Sequence, residues 1–102
     1  MILENFRFKQ IEYMKAQETQ KLEVLRYFLA QIKNKEIELR PQNVELKDEH
    51  IYKVLKKLLK QIDETVEMCE KAGRLPALEK AQKEKLILKE FEDMFQPEMR
   101  QQ

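Results

Sequence analysis

The sequence has few of the residues on which many enzymes and membrane proteins depend. It contains one glycine, one cysteine, one histidine and no tryptophan. A single glycine cannot build the glycine-rich turns that hold phosphates, which excludes a P-loop and a dinucleotide-binding fingerprint. No apolar run approaches the roughly 18 residues that a membrane helix needs. The start of the chain carries acid at Glu4 and no continuous apolar segment, so it does not resemble a secretory signal.

The few reactive side chains do not assemble into a catalytic or metal site. Cys69 has no partner for an intramolecular disulfide, which favours a reducing, cytoplasmic location. On one helix, Cys69 and His50 would lie about 28 Å apart, too far for a nucleophile and its base. The nearby carboxylates lack the His or Tyr neighbours that would tune an acid or base: Asp63, Glu64, Glu67 and Glu70. We therefore expect no enzyme activity, no metal and no cofactor.

What the sequence has in abundance is charge and helical periodicity. Charged residues make up 38% of the chain and hydrophobic residues 42%, a balance typical of long amphipathic helices. Twenty basic and nineteen acidic residues leave a net charge of +1. No global field then attracts nucleic acid or a lipid surface, so any such partner must be recognised by a local patch.

Apolar residues at three-four spacing predict four helices, at about 2–16, 18–39, 48–72 and 76–95. Pro41, Gly73 and Pro97 fall at the predicted breaks, and Pro76 suits the first turn of the last helix. Asp48 and the residue after it supply negative charge at the third helix start. Short connections favour a single all-α domain, an antiparallel up-down four-helix bundle or a close variant. The same apolar faces could instead mediate a homodimer.

The predicted core follows the apolar stripe of each helix. The first helix contributes Leu3, Phe6, Met14 and Ile11. The second contributes Leu22, Leu25, Leu29, Ile32 and Leu39, widened by Val24, Phe28 and Ile37. The third contributes Ile51, Leu55, Leu58, Ile62, Val66 and Cys69. The fourth contributes Leu78, Ala81, Leu88, Phe91 and Phe95, with Lys85 as an interruption.

Four lysines of the third helix, Lys53, Lys56, Lys57 and Lys60, form the sharpest local pattern. This lysine row spans about 100° of the helix surface, opposite the apolar stripe. A phosphate backbone is a natural ligand for such a row, and Lys33, Lys35 and Arg40 are candidate additions from the second helix. An ordinary solvated face is the alternative. Tyr52 is the only aromatic residue of this helix, which gives base stacking little support.

Three segments resemble the GatB/YqeY family: Lys21–Arg26, Gln31–Leu39, which contains IKNKEIEL, and Glu70–Arg74, which reads EKAGR. The resemblance extends over nearly the whole chain and implies a four-helix bundle followed, in typical members, by a smaller three-helix domain. That pair is similar to the tail of the B subunit of the tRNA-dependent amidotransferase. The resemblance therefore implies a binding role linked to tRNA or another RNA, and no catalytic residues.

The chain departs from the family pattern in two places. The family's domain boundary would fall at Phe91–Met99, and the sequence stops at Gln102, so we expect the second domain to be absent. Ile62 stands where a basic residue commonly follows the Lys60–Gln61 pair. The candidate ligands are thus RNA or a protein of the aminoacylation or amidotransferase apparatus. A self-associating structural protein without a nucleic-acid role is the alternative.

Overall fold

The computed structural model describes residues 1–100, and all of the regular structure in that part of the chain is helical. In chain order the α-helices are α1 (Ile2–Lys15), α2 (Thr19–Leu39), α3 (Asp48–Ala72), α4 (Leu75–Glu92) and α5 (Pro97–Arg100), with a 3-10 helix (Arg40–Gln42) after α2. The predicted all-α class is confirmed. Among the residues described, no helix combines the length and apolar character required to cross a membrane.

Left-handed backbone conformations end the helices at the predicted breaks. Gly73 follows α3 with φ +65°, and the amide of Arg74 donates to the carbonyl of Cys69, which closes the end of the helix. Asn43 has φ +56° after the 3-10 helix that contains Pro41. Gln17 adopts the same φ between α1 and α2. The connections at residues 16–18 and 73–74 are therefore short, and the segment 40–47 between α2 and α3 is longer.

Contacts between sequential helices show two antiparallel pairs. Phe6 meets Phe28, and the Tyr13 ring lies under Lys21. Residues later in α1 therefore contact residues earlier in α2, so the two helices are antiparallel. In the second pair, Asp63 of α3 bonds Lys85 of α4, while Tyr52 meets Phe95 just beyond α4. α3 and α4 pack together along their length, and α2 contacts both.

Three phenylalanines from three helices form the centre of the core. Phe6 of α1, Phe28 of α2 and Phe91 of α4 are all completely buried. Phe6 meets Phe28 and Phe91 edge-on, with ring centroids 5.1 and 5.6 Å apart, and Phe28 stacks on Phe91 at 5.9 Å. Phe28, which the sequence places at the margin of its stripe, thus lies at the centre. Leu22 and Leu29, predicted as core, are only partly buried against this cluster.

The inward face of α1 differs from the predicted stripe. Met14 is 54% exposed and Ile11 49% exposed, whereas Ile2 and Tyr13 are buried. The prediction was wrong because three-four spacing fits two neighbouring faces of so short a helix. Burial of Phe6 between Phe28 and Phe91 selects the face that also carries Tyr13. Ile37 of α2 is likewise 48% exposed.

The last helix is shorter than predicted. α4 ends at Glu92, and residues 93–95 form a turn that still buries Phe95. Phe95 therefore joins the core from outside a helix, against Phe6 and Tyr52. The sequence pattern did not predict α5, a short helix that begins at Pro97. Proline can stand there because it fits the first turn of a helix.

The molecule is elongated, with principal extents of 46 × 31 × 27 Å and a radius of gyration of 14.7 Å. A compact domain of this length has a radius of about 13 Å. The 25 residues of α3 account for the difference, since a helix of that length spans about 37 Å. α3 thus presents a long outer surface.

Candidate nucleic-acid interface

The lysine row lies on the solvent side of α3. Its phase is set by the opposite face, where Ile51, Leu55 and Leu58 are buried. All four lysines are exposed, and the structure of residues 1–100 shows none of them in an ion pair. An ammonium group without a carboxylate partner keeps its full field for a ligand. The row is therefore a continuous strip of uncompensated positive charge.

Tertiary contacts keep this charge uncompensated near the middle of α3. Asp63 lies three residues after Lys60, a spacing at which a helix commonly forms an ion pair. Its carboxylate instead bonds Lys85 of α4, with 2.7 Å between Nζ and Oδ1. Lys85, which interrupts the apolar stripe of α4, therefore lies on the side of α4 that meets α3. Pairing between helices thus engages the Asp63 carboxylate with Lys85 instead of Lys60.

Tyr52 does not serve the row as a stacking platform. It is 3% exposed and packs against Phe95. Its hydroxyl donates to Glu92 at 3.3 Å and lies 3.4 Å from the carbonyl oxygen of Arg100. Burial, followed by the charge of Glu92, raises the pKa of the phenol above its ordinary value of 10.0. Lys56 Nζ lies 5.8 Å from the ring centroid, an arrangement that orients the lysine by a cation–π contact.

A groove between α2 and α3 adjoins one edge of the lysine row. It encloses about 320 Å³. Lys53 and Lys57 line it from α3, and Lys35 lines it from α2. Lys35 also bonds Glu38, with 3.4 Å between Nζ and Oε1, so its charge is partly compensated. The α2–α3 groove thus extends the basic surface from one helix to the next.

The other two predicted additions, Lys33 of α2 and Arg40 of the 3-10 helix, do not join this surface. Lys33 lines a different groove, beside Leu3 and Ile11 on the α1 side. Lys33 and Arg40 both bond the carboxylate of Glu36, at 3.1 and 3.2 Å. The hydrogen bond and charge of Lys33, with Arg40 contributing, hold the pKa of Glu36 below its ordinary value. Among the α2 candidates, the structure therefore brings only Lys35 to the lysine row.

His50 has a structural contact at the start of α3. Its Nδ1 accepts a hydrogen bond from the backbone N–H of Lys47 at 2.9 Å, so the ring proton of the neutral form is on Nε2. The side chain also lines the α2–α3 groove. Cys69 is half-buried. Among residues 1–100, no group of three or more His, Cys, Asp or Glu side chains is arranged to hold a metal ion.

The groove contains polar and aromatic side chains that the sequence reasoning did not select. Tyr27, Gln31 and Asn34 line it from α2, and Gln61 lines it from α3. The signal was present, because residues 27, 31, 34 and 38 follow helical spacing beside the buried stripe of α2. What periodicity could not show is which helix would pack beside that face.

A second groove continues from the first. It shares Tyr27, Leu58 and Gln61 with the α2–α3 groove and encloses about 330 Å³. Its lining is more apolar, with Val24, Ile62 and Leu88 between helices α2, α3 and α4, and two acids at its rim, Glu23 and Glu84. Charge therefore changes sign along this side of the molecule.

The burial of Ile62 explains why this position, after Lys60–Gln61, does not carry a basic residue. Its side chain is only 8% exposed and belongs to the core, on the opposite side of α3 from Lys60. A charged head at this position would have to leave water or displace the neighbouring helices. The basic strip of α3 therefore ends at Lys60.

Comparisons with known proteins agree with the family resemblance. No curated protein matches the sequence. A family model described as Yqey-like protein matches residues 4–100. That match runs from Glu4, in the first turn of α1, through α4, and it includes every residue of the lysine row and the α2–α3 groove. The chain belongs to the family of YqeY-like proteins.

Proposed function

We propose that this protein is a non-catalytic, cytoplasmic binding module that holds RNA along the lysine row. Transfer RNA is the first candidate, because the family resembles the tail of the tRNA-dependent amidotransferase. In tRNA-dependent amidation the module would serve as an adaptor. The observation that supports the proposal is the strip of four exposed lysines without carboxylate partners on α3. Phosphates of a nucleic-acid backbone match such a strip in charge.

The proposed scaffold is an up-down four-helix bundle made of α1 to α4. Two antiparallel pairs and the shared Phe6, Phe28 and Phe91 cluster support this arrangement. In it, α3 is an outer support whose apolar face is held by three neighbours. The lysines therefore project from a helix that is already ordered, so binding must order their side chains but not the backbone.

Binding to total tRNA across a salt series tests this function. Affinity of the parent protein is expected to fall steeply with salt, because each neutralised phosphate releases a counterion. Replacing the four lysines of the row by Gln should lower affinity at about 50 mM salt more than tenfold and reduce the salt slope by about 3. Circular dichroism should remain unchanged, since Gln is a good helix former.

A matched control separates local recognition from net charge. Lys15, Lys71, Lys80 and Lys83 are exposed and lie outside the row and the α2–α3 groove. Replacing these four by Gln changes the net charge by the same amount and should leave tRNA binding within about twofold of the parent. Equal losses in both variants, or no tRNA binding by the parent at low salt, would contradict the proposal.

A protein partner, or self-association, is the second candidate function. The observation that favours it is the apolar groove with Val24, Ile62 and Leu88 in its lining. If that groove is the interface, Val24→Glu should abolish association measured by analytical ultracentrifugation while tRNA binding, if any, persists. A monomeric parent that binds no protein of the amidotransferase apparatus would remove this candidate.

A further inference from the structure

The lining of the α2–α3 groove differs in chemistry from the lysine row beside it. Lysines offer phosphate a positive charge and donors but no acceptor, whereas the groove carries the carboxamides of Gln31, Asn34 and Gln61. Each carboxamide offers two donors and an acceptor. Within the part of the chain that the structure describes, none of the three side chains has a hydrogen-bond partner. Such unpaired amides match the edge of a nucleobase.

The remaining surface of the groove suits a flat aromatic ligand. Leu58 is buried beneath it and Val54 is partly buried, so the floor is apolar. Tyr27 is 56% exposed at the groove, and the structure of residues 1–100 shows no aromatic ring or cation against it. An exposed ring beside an apolar floor is the usual surface on which an unpaired base stacks.

Uncompensated positive charge lies along the α3 side of the groove, where the phosphates of an entering nucleotide would lie. Lys53 and Lys57 are one helical turn apart on the α3 side, with about 6 Å between their Cβ atoms. Lys35 lies on the α2 side. His50 keeps its Nε2 proton available because Nδ1 already accepts from Lys47. Glu38 also lines the groove and pairs with Lys35. The uncompensated positive charge beside this volume of about 320 Å³ is therefore that of Lys53 and Lys57.

We propose that the α2–α3 groove receives one unpaired base of the bound RNA, while the lysine row holds the phosphates on either side. The inference rests on the proposed function, since it assigns a ligand class within the same surface. A base in a duplex cannot enter, because its edge is already paired and its faces are stacked. The protein should therefore prefer single-stranded segments or loops to duplex.

Binding of a mixed-sequence single-stranded RNA and of a blunt RNA duplex with the same number of phosphates tests the inference. The parent should bind the single strand about tenfold more tightly. Tyr27→Ala, and separately the triple change Gln31→Ala, Asn34→Ala and Gln61→Ala, should reduce this preference to about twofold or less. Affinity for the duplex should stay unchanged in both, because the lysines remain.

Two controls make the result specific. Tyr27→Phe retains the aromatic face and should keep the preference. Asn5→Ala, Gln20→Ala and Gln82→Ala remove the same side-chain types from outside the groove and should also keep it. Salt-dependent binding of both RNAs with no preference in the parent would overturn the base-entry inference alone. Absence of binding to either RNA would overturn the proposed function as well.

Discussion

At the scale of single residues, one backbone position and one buried side chain affect local stability. The first is backbone conformation at Gly73, where φ is +65° and no atom beyond the adjoining residues lies within 4 Å of the position that a Cβ would occupy. Any cost of substitution must therefore come from the left-handed backbone and not from a clash. The second is the buried phenol of Tyr52, whose hydroxyl is tied to Glu92.

Gly73→Val should lower the free energy of unfolding by about 1–2 kcal/mol, because a β-branched residue resists this conformation. Gly73→Asn should lower the free energy of unfolding by a smaller amount, since asparagine tolerates a positive φ. Urea unfolding followed by circular dichroism measures both. Equal losses for Val and Asn would show that the backbone is not the cause.

Alkaline pH should destabilise the protein partly through Tyr52. Burial raises the pKa of Tyr52 in the folded state, so above its unfolded value of 10.0 the folded protein binds more protons than the unfolded chain. The contribution of Tyr52 is thus complete below about pH 10 and is lost as pH rises through the folded pKa. Tyr52→Phe should flatten this fall in thermal stability between neutral pH and pH 11. Tyr27→Phe, at an exposed position, should leave it unchanged.

At the scale of elements, one carboxylate joins the beginnings of two helices. Asp48 is the first residue of α3, and its Oδ1 accepts the backbone N–H of Ile2, the first residue of α1, at 3.0 Å. The free amides at a helix start need an acceptor, and their partial positive charge favours an anion. Asp48 therefore satisfies the start of α1 and also stabilises its own helix.

Asp48→Ala should lower the free energy of unfolding by about 1–2 kcal/mol, since it removes both effects. Glu49→Ala is the matched control, because Glu49 also lies in the first turn of α3 but is exposed and makes no bond to α1. Hydrogen exchange of the Ile2 amide would locate the loss. Similar destabilisation by the two substitutions would show that the contact with α1 contributes little.

At the scale of the whole molecule, the core depends on three aromatic rings from distant segments. Phe6, Phe28 and Phe91 have no shared helix, yet each touches the other two. Close aromatic pairs add to the free energy of apolar burial. The cluster therefore joins α1, α2 and α4 at one place in the core.

Phe28→Ala should lower the free energy of unfolding by about 3–5 kcal/mol, since a fully buried ring would leave a cavity among its neighbours. That is a large share of the 5–15 kcal/mol typical of a domain. Phe8→Ala is the control, because Phe8 is 67% exposed and should change stability by less than about 0.5 kcal/mol. Denaturant midpoints of the two variants give the comparison.

Much of this protein follows from local sequence patterns. Spacing of apolar residues indicated four long helices and an all-α fold, and a lone glycine indicated the end of α3, because both signals depend on neighbouring residues only. The position of the lysine row opposite the apolar face of α3 also followed from helical phase. For α1, the same reasoning selected Met14 instead of Tyr13, since two faces of a short helix fit the pattern equally well.

The tertiary structure decided which faces meet. Lys33 and Lys35 are two residues apart, yet only Lys35 lines the groove with Lys53, because the approach of α3 to one side of α2 separates them. The bond from Lys85 to Asp63, the burial of Tyr52 beneath Phe95 and the groove lined by Tyr27 depend equally on helix packing. Periodicity states which residues share a face of one helix, while the crossing of helices and the volumes of the side chains between them determine what that face contacts.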